Sequence, residues 1–331
     1  MKRVLITGAT GFLGAHLVER NLEAGHQVRI FALPGDPKAA QFELQHIHAV
    51  YWDIRDEEPV EKALEDIQIV FHLAAVVTDW APKKLFWQVN VGGMRNICEA
   101  SFKHKVERFV EVSTNDIFGL KEGVVMNEDF GYSAWKEPYA DTKIEATKIA
   151  WEYYQKGLPV TMVYPCWVYG PGDRTFVPEI AKALKSRELV FWRKDTIVWP
   201  AYVENVIDLL MVISEHPAAV GHGFLVHDGE SDTFQNFAAK IAEAVGAPLA
   251  SKHIPYWTAY AAAWAMELIW KLLAKKSRPL LTTYTVKNLG SRLQFSIAKA
   301  EKILGWKPPT SYDKGFRKMV EWLKREEGAQ L

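Results

Sequence analysis

Residues 3–14 read RVLITGATGFLG. The apolar run Val4-Leu5-Ile6-Thr7 passes straight into a loop holding Gly8, Gly11 and Gly14, and an amphipathic helical pattern then continues to Gly25. In a strand–loop–helix of this order each glycine has its own task. The first permits the tight turn, the second lets backbone approach a pyrophosphate, and the third allows the helix to pack closely on the sheet. The free N–H groups and partial positive charge of the helix N-terminus then face the phosphates. Thr10, Phe12 and Leu13 complete this candidate cradle.

Outward from the loop, short apolar runs alternate with helical spacing as far as residue 165. Strands are predicted at 3–7, 27–33, 47–51, 69–73, 108–113 and 160–164, with helices at 53–66, 86–102 and 138–154. Strand–helix alternation of this kind implies a parallel sheet covered on both faces. The fold class expected is therefore α/β, a doubly wound parallel Rossmann sheet over residues 1–165, with residues 200–230 also returning to it. A smaller, mostly helical lobe over 166–331 is richer in Trp and Ala, with isolated strands near 188–191 and 223–227.

Composition narrows the partners. Forty basic residues balance forty acidic ones, so no net field draws the chain to nucleic acid or to an anionic membrane. Cys98 and Cys166 are far apart and lack metal-ligand spacing, which fits core cysteines in a reducing cytoplasm and no metal site. The basic, apolar N-terminus is broken by glycine too early for a signal peptide. Residues 256–273 are apolar, but Glu267 and Lys271 argue against a membrane span. That segment is read as a lobe helix over the substrate pocket, with membrane-surface contact through Trp257, Trp264 and Trp270 the less favoured alternative.

Several further motifs stand in order. Gly8, Gly11 and Gly14 are each separated by two residues. Asp53-Ile54, His72-Leu73-Ala74-Ala75, Asn90-Val91-Gly92-Gly93, Tyr169-Gly170-Pro171-Gly172-Asp173, Tyr202-Val203-Glu204-Asn205-Val206 and Leu304-Gly305-Trp306 follow. Together they resemble the extended short-chain dehydrogenase/reductases, within the NAD-dependent epimerase/dehydratase family, and especially their 3β-hydroxysteroid dehydrogenase-like branch. Gly93 stands where that family usually has Thr. The resemblance implies cofactor contacts from the glycine loop and from Asp53, Ile54, Leu73, Ala74, Ala75, Asn90, Tyr139, Lys143 and Pro165. It also implies a homodimer formed through the helices near Asn90 and Tyr139. An acidic residue at the end of the second strand would mark NAD and an arginine just after it NADP, but Ala32 and Leu33 stand there. Asp36 and Lys38 are the remaining candidates for ribose or phosphate contact. The cofactor is read as NAD or NADP, with NAD preferred.

Two Tyr-x-x-x-Lys pairs occur, Tyr132/Lys136 and Tyr139/Lys143. Pro138 disfavours helix at Glu137 but suits the first turn of the helix that follows, so only Tyr139 and Lys143 share a helix face. A phenol of pKa about 10 must be tuned to work as an acid or base at neutral pH. Lys143, together with the positive nicotinamide ring of an oxidised cofactor, is expected to lower it. In the segment Ser113-Thr114-Asn115-Asp116-Ile117-Phe118-Gly119, the resemblance places Thr114 as the catalytic hydroxyl, with Ser113 as fallback and Asp116 beside the substrate.

Where sugar-nucleotide enzymes of this resemblance carry Arg and Asn, Tyr164 and Trp167 stand here, and an indole cannot replace an amide against a diphosphate. Trp167, Thr78, Asp116 and Val177 are the expected substrate contacts. The reading is hydride transfer between nicotinamide and a secondary alcohol or ketone on a hydrophobic, sterol-like or long-chain β-hydroxy/β-keto skeleton. A sugar-nucleotide epimerase or dehydratase with retained NAD is the first alternative, and a non-catalytic cofactor-binding protein the second.

Overall fold

The computed structural model describes residues 1–329. Seven strands form its central sheet: β1 (Arg3–Thr7), β2 (Gln27–Ala32), β3 (His48–Tyr51), β4 (Ile69–His72), β5 (Arg108–Val112), β6 (Val160–Pro165) and β7 (Gly223–Val226). All are parallel, in the order β3-β2-β1-β4-β5-β6-β7. Strands covered on both faces need apolar residues at nearly every position, and β4 to β7 are buried throughout. Strand order reverses between β1 and β4, which opens a crevice at the carboxyl ends of these two strands.

The predicted strands of the sheet end within one residue of the observed ones. The stretch 188–191 is different, contributing only an isolated bridge from Phe191 to His253. Helix Glu57–Ala63 is shorter than expected because Asp53 folds residues 53–56 into a turn, its carboxylate accepting from Arg55 N at 3.0 Å. Such a side chain competes with helical backbone bonding. The helix expected at 86–102 starts at Lys83, passes through a π-helical turn at Trp87–Gly92 and continues as Gly93–Lys103. Helix Pro138–Gln155 begins on its proline, as predicted.

After β6 the chain leaves the sheet, builds Trp167–Tyr169 against Pro200–Tyr202, and returns through helix Val203–Glu215 to β7. One continuous core runs from Val4 to Leu323, and both cysteines are free within it. Helix Tyr256–Leu272 stands apart, touching a small separate cluster of Ala259, Ala263 and Val286. No helix among the described residues is long and apolar enough to cross a membrane, and these residues contain no cluster able to hold a metal ion.

Candidate active site

The glycine loop sits at the reversal point. Gly8 has φ +69°, and a Cβ there would lie 2.8 Å from the backbone of Leu73 and Ala74. A Cβ on Gly14 would lie 2.1 Å from the Gly8 carbonyl oxygen. The loop thus presses on the segment after β4 with no room for side chains. Helix Phe12–Glu23 starts at Gly11 without a side-chain cap or an acidic residue in its first turn, so its N–H groups remain for an anion. The residues present therefore fit a dinucleotide pyrophosphate. A groove of about 1260 Å³ reaches the loop at Gly11 and Phe12 and is also lined by Lys38, Gly172 and Arg174. Lys38 Nζ donates to the Thr10 carbonyl at 2.9 Å, while burial and the charge of Arg174 hold its amine below the usual lysine range. Asp36 is occupied as the cap of the following helix, accepting from Lys38 N.

At the end of β5 the chemistry gathers. Lys143 is buried and donates to Glu111 Oε1 at 2.6 Å and to the Val112 carbonyl at 2.9 Å. Glu111 is fully buried, and its second oxygen has no hydrogen-bond partner among the described residues. Burial pushes its carboxyl up to about 7 against the pull of Lys143. His72 Nε2 lies 4.0 Å from Glu111, while its Nδ1 shares a 2.8 Å bond with Thr7 Oγ1. Burial and the Lys143 charge drive the imidazole down to about 3, so it is neutral.

Tyr139 is half-buried on the same helix as Lys143. Burial first, then the Asp116 carboxylate, raise its pKa, with a lesser push from Glu111 and an opposing hydrogen bond from Thr114. The Lys143 ammonium itself faces Glu111 directly; the lowering expected of Lys143 acting with an oxidised nicotinamide belongs to the loaded site. Thr114 caps the turn Asn115–Phe118, accepting from Asp116 N at 3.3 Å, and meets Tyr139. Ser113 points elsewhere, to Thr147 Oγ1 at 2.9 Å.

Asp116 accepts from the Tyr284 hydroxyl at 2.7 Å, and burial pushes its carboxyl up to about 6 despite that bond. The Tyr284 ring meets Tyr139 edge-on at 6.4 Å and stacks on Trp135 at 5.5 Å. Sequence reasoning missed Glu111, Trp135 and Tyr284. Glu111 had a readable signal, an acidic residue between Val110 and Val112 near the end of a strand. The other two had none, since their partners are distant in the chain.

The remaining predicted contacts divide. Leu73, Ala74 and Ala75 form the wall opposite Gly8. Asn90 does not reach outward. Its amide accepts from Val76 N at 2.7 Å and donates to Thr142 Oγ1 at 3.1 Å, tying that wall to the Tyr139 helix. Asp53 is paired with Arg55 at 2.7 Å, and Ile54 fills the space over Gly93, where a Cβ would meet it at 2.7 Å. This explains glycine in place of threonine. Pro165 ends β6, buried in the sheet. Trp167 is half-buried and packs edge-on to Phe176, ring centroids 4.7 Å apart. Thr78 accepts from Trp80 N at 3.1 Å within a turn. Val177 is fully buried at the start of helix Val177–Lys185, its N–H donating to Asp173 at 2.8 Å. A helix start of this kind turns its side chain into the core.

A tyrosine and lysine one turn apart at the mouth of a dinucleotide crevice define a nicotinamide-dependent oxidoreductase. The chain belongs to the NAD dependent epimerase/dehydratase family, whose model matches residues 4–226. It is 27% identical to the 2-alkyl-3-oxoalkanoate reductase of Stenotrophomonas maltophilia, over 96% of this chain and 98% of that one. To the 3-beta-hydroxysteroid dehydrogenase of Mycolicibacterium neoaurum it is 29% identical, over 92% of this chain and 87% of that one. The UDP-glucose 4-epimerase of Thermotoga maritima superposes with a TM-score of 0.79 at 20% identity, covering 98% and 99% of the two chains, and shares the fold.

Proposed function

We propose that the chain interconverts a ketone and a secondary alcohol on a hydrophobic substrate, with NAD as hydride carrier. The observation that carries this reading is the aromatic surround of the acid: Tyr284 packs edge-on to Tyr139, and Trp135 stacks on Tyr284. The Trp167–Phe176 pair supplies a second apolar surface. Relatives named as an oxoalkanoate reductase and a hydroxysteroid dehydrogenase support it.

When bound, the nicotinamide supplies or accepts the hydride. Tyr139 holds the transferred proton at the substrate oxygen, donating it as a carbonyl becomes an alcohol and taking it back in reverse. The Thr114 hydroxyl donates a second hydrogen bond to that oxygen. Lys143, fixed by Glu111 and the Val112 carbonyl, holds the tyrosine side of the crevice in register. Because its surroundings raise the Tyr139 pKa, the phenol is protonated at neutral pH. That is the form which donates the proton in ketone reduction.

A panel of 3-ketosteroids and 2-alkyl-3-oxoalkanoates, followed by loss of NADH absorbance, tests the assignment. Turnover of members of this panel is expected, together with no calorimetric signal from UDP- or dTDP-sugars. Micromolar binding of a sugar nucleotide would overturn it. Trp167→Asn should raise KM more than it lowers kcat, with about 2 kcal/mol of transition-state stabilisation lost with the aromatic area.

A further inference from the structure

Helix Tyr256–Leu272 has 17 residues, about 26 Å at 1.5 Å per residue. Only Ala259 and Ala263 are buried, one turn apart, where they pack with Val286. The other face carries Trp257, Tyr260, Trp264, Leu268 and Leu272 at helical spacing. Trp257 is 72%, Trp264 58% and Leu272 77% exposed. Leu273 and Leu280 extend the bare surface beyond the helix. Isolated exposed apolar residues are ordinary, but a continuous stripe of this size marks a binding surface.

The charges at its C-terminal end say what the surface meets. Lys271, Lys275 and Lys276 are all exposed. Lys271 reaches over the ring of Trp80, so the loop before Lys83 and Lys84, both also exposed, lies at the same corner. The acids of the helix and this loop are turned inward. Glu267 accepts from Thr283 N and Oγ1 at 2.7 and 2.8 Å, and Asp79 is held by Arg278 and Thr282 at 2.6 Å. The side chains of Glu267 and Asp79 are 15% and 8% exposed. Lys271 lies 3.7 Å from Glu267, so the cations at this end with no carboxylate partner among the described residues are Lys275 and Lys276; the outer surface is apolar and aromatic with a basic end, the chemistry of a helix lying in the headgroup plane of an anionic bilayer. A second copy of the chain would bring a matching apolar stripe but no exposed acid from this face to answer the lysines.

We infer that helix Tyr256–Leu272 docks the protein on an anionic lipid surface through Trp257, Trp264 and Leu272, with Lys275 and Lys276 contacting the headgroups. The helix lies flat and does not span. Through Val286 it packs on helix Thr283–Asn288, whose Tyr284 reaches Asp116 and Tyr139. Docking therefore sets the aromatic side of the active site next to the bilayer. The surface stands on its own geometry, independent of the substrate assigned above.

Flotation of the full chain with vesicles of phosphatidylcholine alone, or with about one third phosphatidylglycerol, tests this. Wild type should float with the anionic vesicles roughly tenfold more than with the neutral ones, and less at high salt. The triple substitution Trp257→Ser, Trp264→Ser, Leu272→Ser should abolish flotation while circular dichroism and NADH binding are unchanged. The pair Lys275→Glu, Lys276→Glu should remove the preference for anionic vesicles. Wild type that stays wholly soluble with both vesicle types overturns the proposal. So does a soluble wild-type dimer that the triple substitution makes monomeric, since the face then belongs to a second copy.

Discussion

Pro138 separates two tyrosine–lysine pairs of equal spacing, and the structure shows what it does. The backbone before it is non-helical, with Lys136 at φ +61°, and the Tyr132 hydroxyl is occupied by Trp151 Nε1 at 2.9 Å. Tyr139 instead meets Thr114 and the ring of Tyr284. Tyr139→Phe should therefore lower kcat at least about a thousandfold, within the range for loss of a general acid, while NADH affinity by fluorescence titration stays within twofold. Tyr132→Phe should cost about 1 kcal/mol of stability and little activity. Losses in the opposite order would show that the wrong pair was chosen. Glu111 has a subtler consequence. Its carboxylate contributes to raising the Tyr139 pKa and faces Lys143 at 2.6 Å. In Glu111→Gln the ammonium acts on Tyr139 uncompensated, which favours the phenolate and lowers that pKa. The rise of alcohol oxidation with pH should consequently move down by roughly one unit, or about 1.4 kcal/mol of differential stabilisation. A uniform drop in rate with an unmoved pH profile would reduce Glu111 to a packing role.

Among the elements, the loop after β1 and helix Pro138–Gln155 were legible because their signals are local: glycines two residues apart, and a proline opening a periodic run. Gly14 shows how tight the first of these is. In Gly14→Ala the added Cβ, 2.1 Å from the Gly8 carbonyl oxygen and 2.7 Å from Ala9 Cα, must force the helix start and the glycine loop apart. NADH affinity should fall roughly tenfold or more as the phosphate-facing N–H groups move. Binding equal to wild type would mean that the cradle tolerates the shift. Other elements were read less well for definite reasons. Helix Glu57–Ala63 lost its first turn to the Asp53 side chain, and the helix through Asn90 gained a π turn that places its amide on Val76 and Thr142. Such π insertions occur often at functional sites, and helical periodicity alone does not reveal them.

At the scale of the molecule, two latches join the sheet to the lobe. Near the glycine loop, Glu204 accepts from His16 at 2.7 Å and pairs with Arg20 at 2.5 Å, while His16 also meets the Pro171 carbonyl. Deeper in, Asn205 donates to Asp228 and to the Thr310 carbonyl and accepts from Thr310 N at 2.9 Å; Asp228 in turn takes the Tyr169 hydroxyl at 2.8 Å. Asn205→Ala should strand these buried groups and destabilise the fold by about 2–4 kcal/mol in urea unfolding. A change under about 0.5 kcal/mol would mean that water or a backbone shift replaces the latch. What the sequence by itself determined was the parallel α/β sheet, the glycine loop between β1 and its helix, and the placement of Tyr139 and Lys143 on one helix, because each rests on spacings within one contiguous stretch. Only the tertiary structure decided that Glu111, 32 residues from Lys143, holds its ammonium, that Tyr284, 168 residues from Asp116, covers the acid, and that one face of helix Tyr256–Leu272 is left bare. Partners so far apart in the chain leave no local pattern, and burial, which moves the Tyr139 and Glu111 pKa values, exists only once the lobe has folded back onto the sheet.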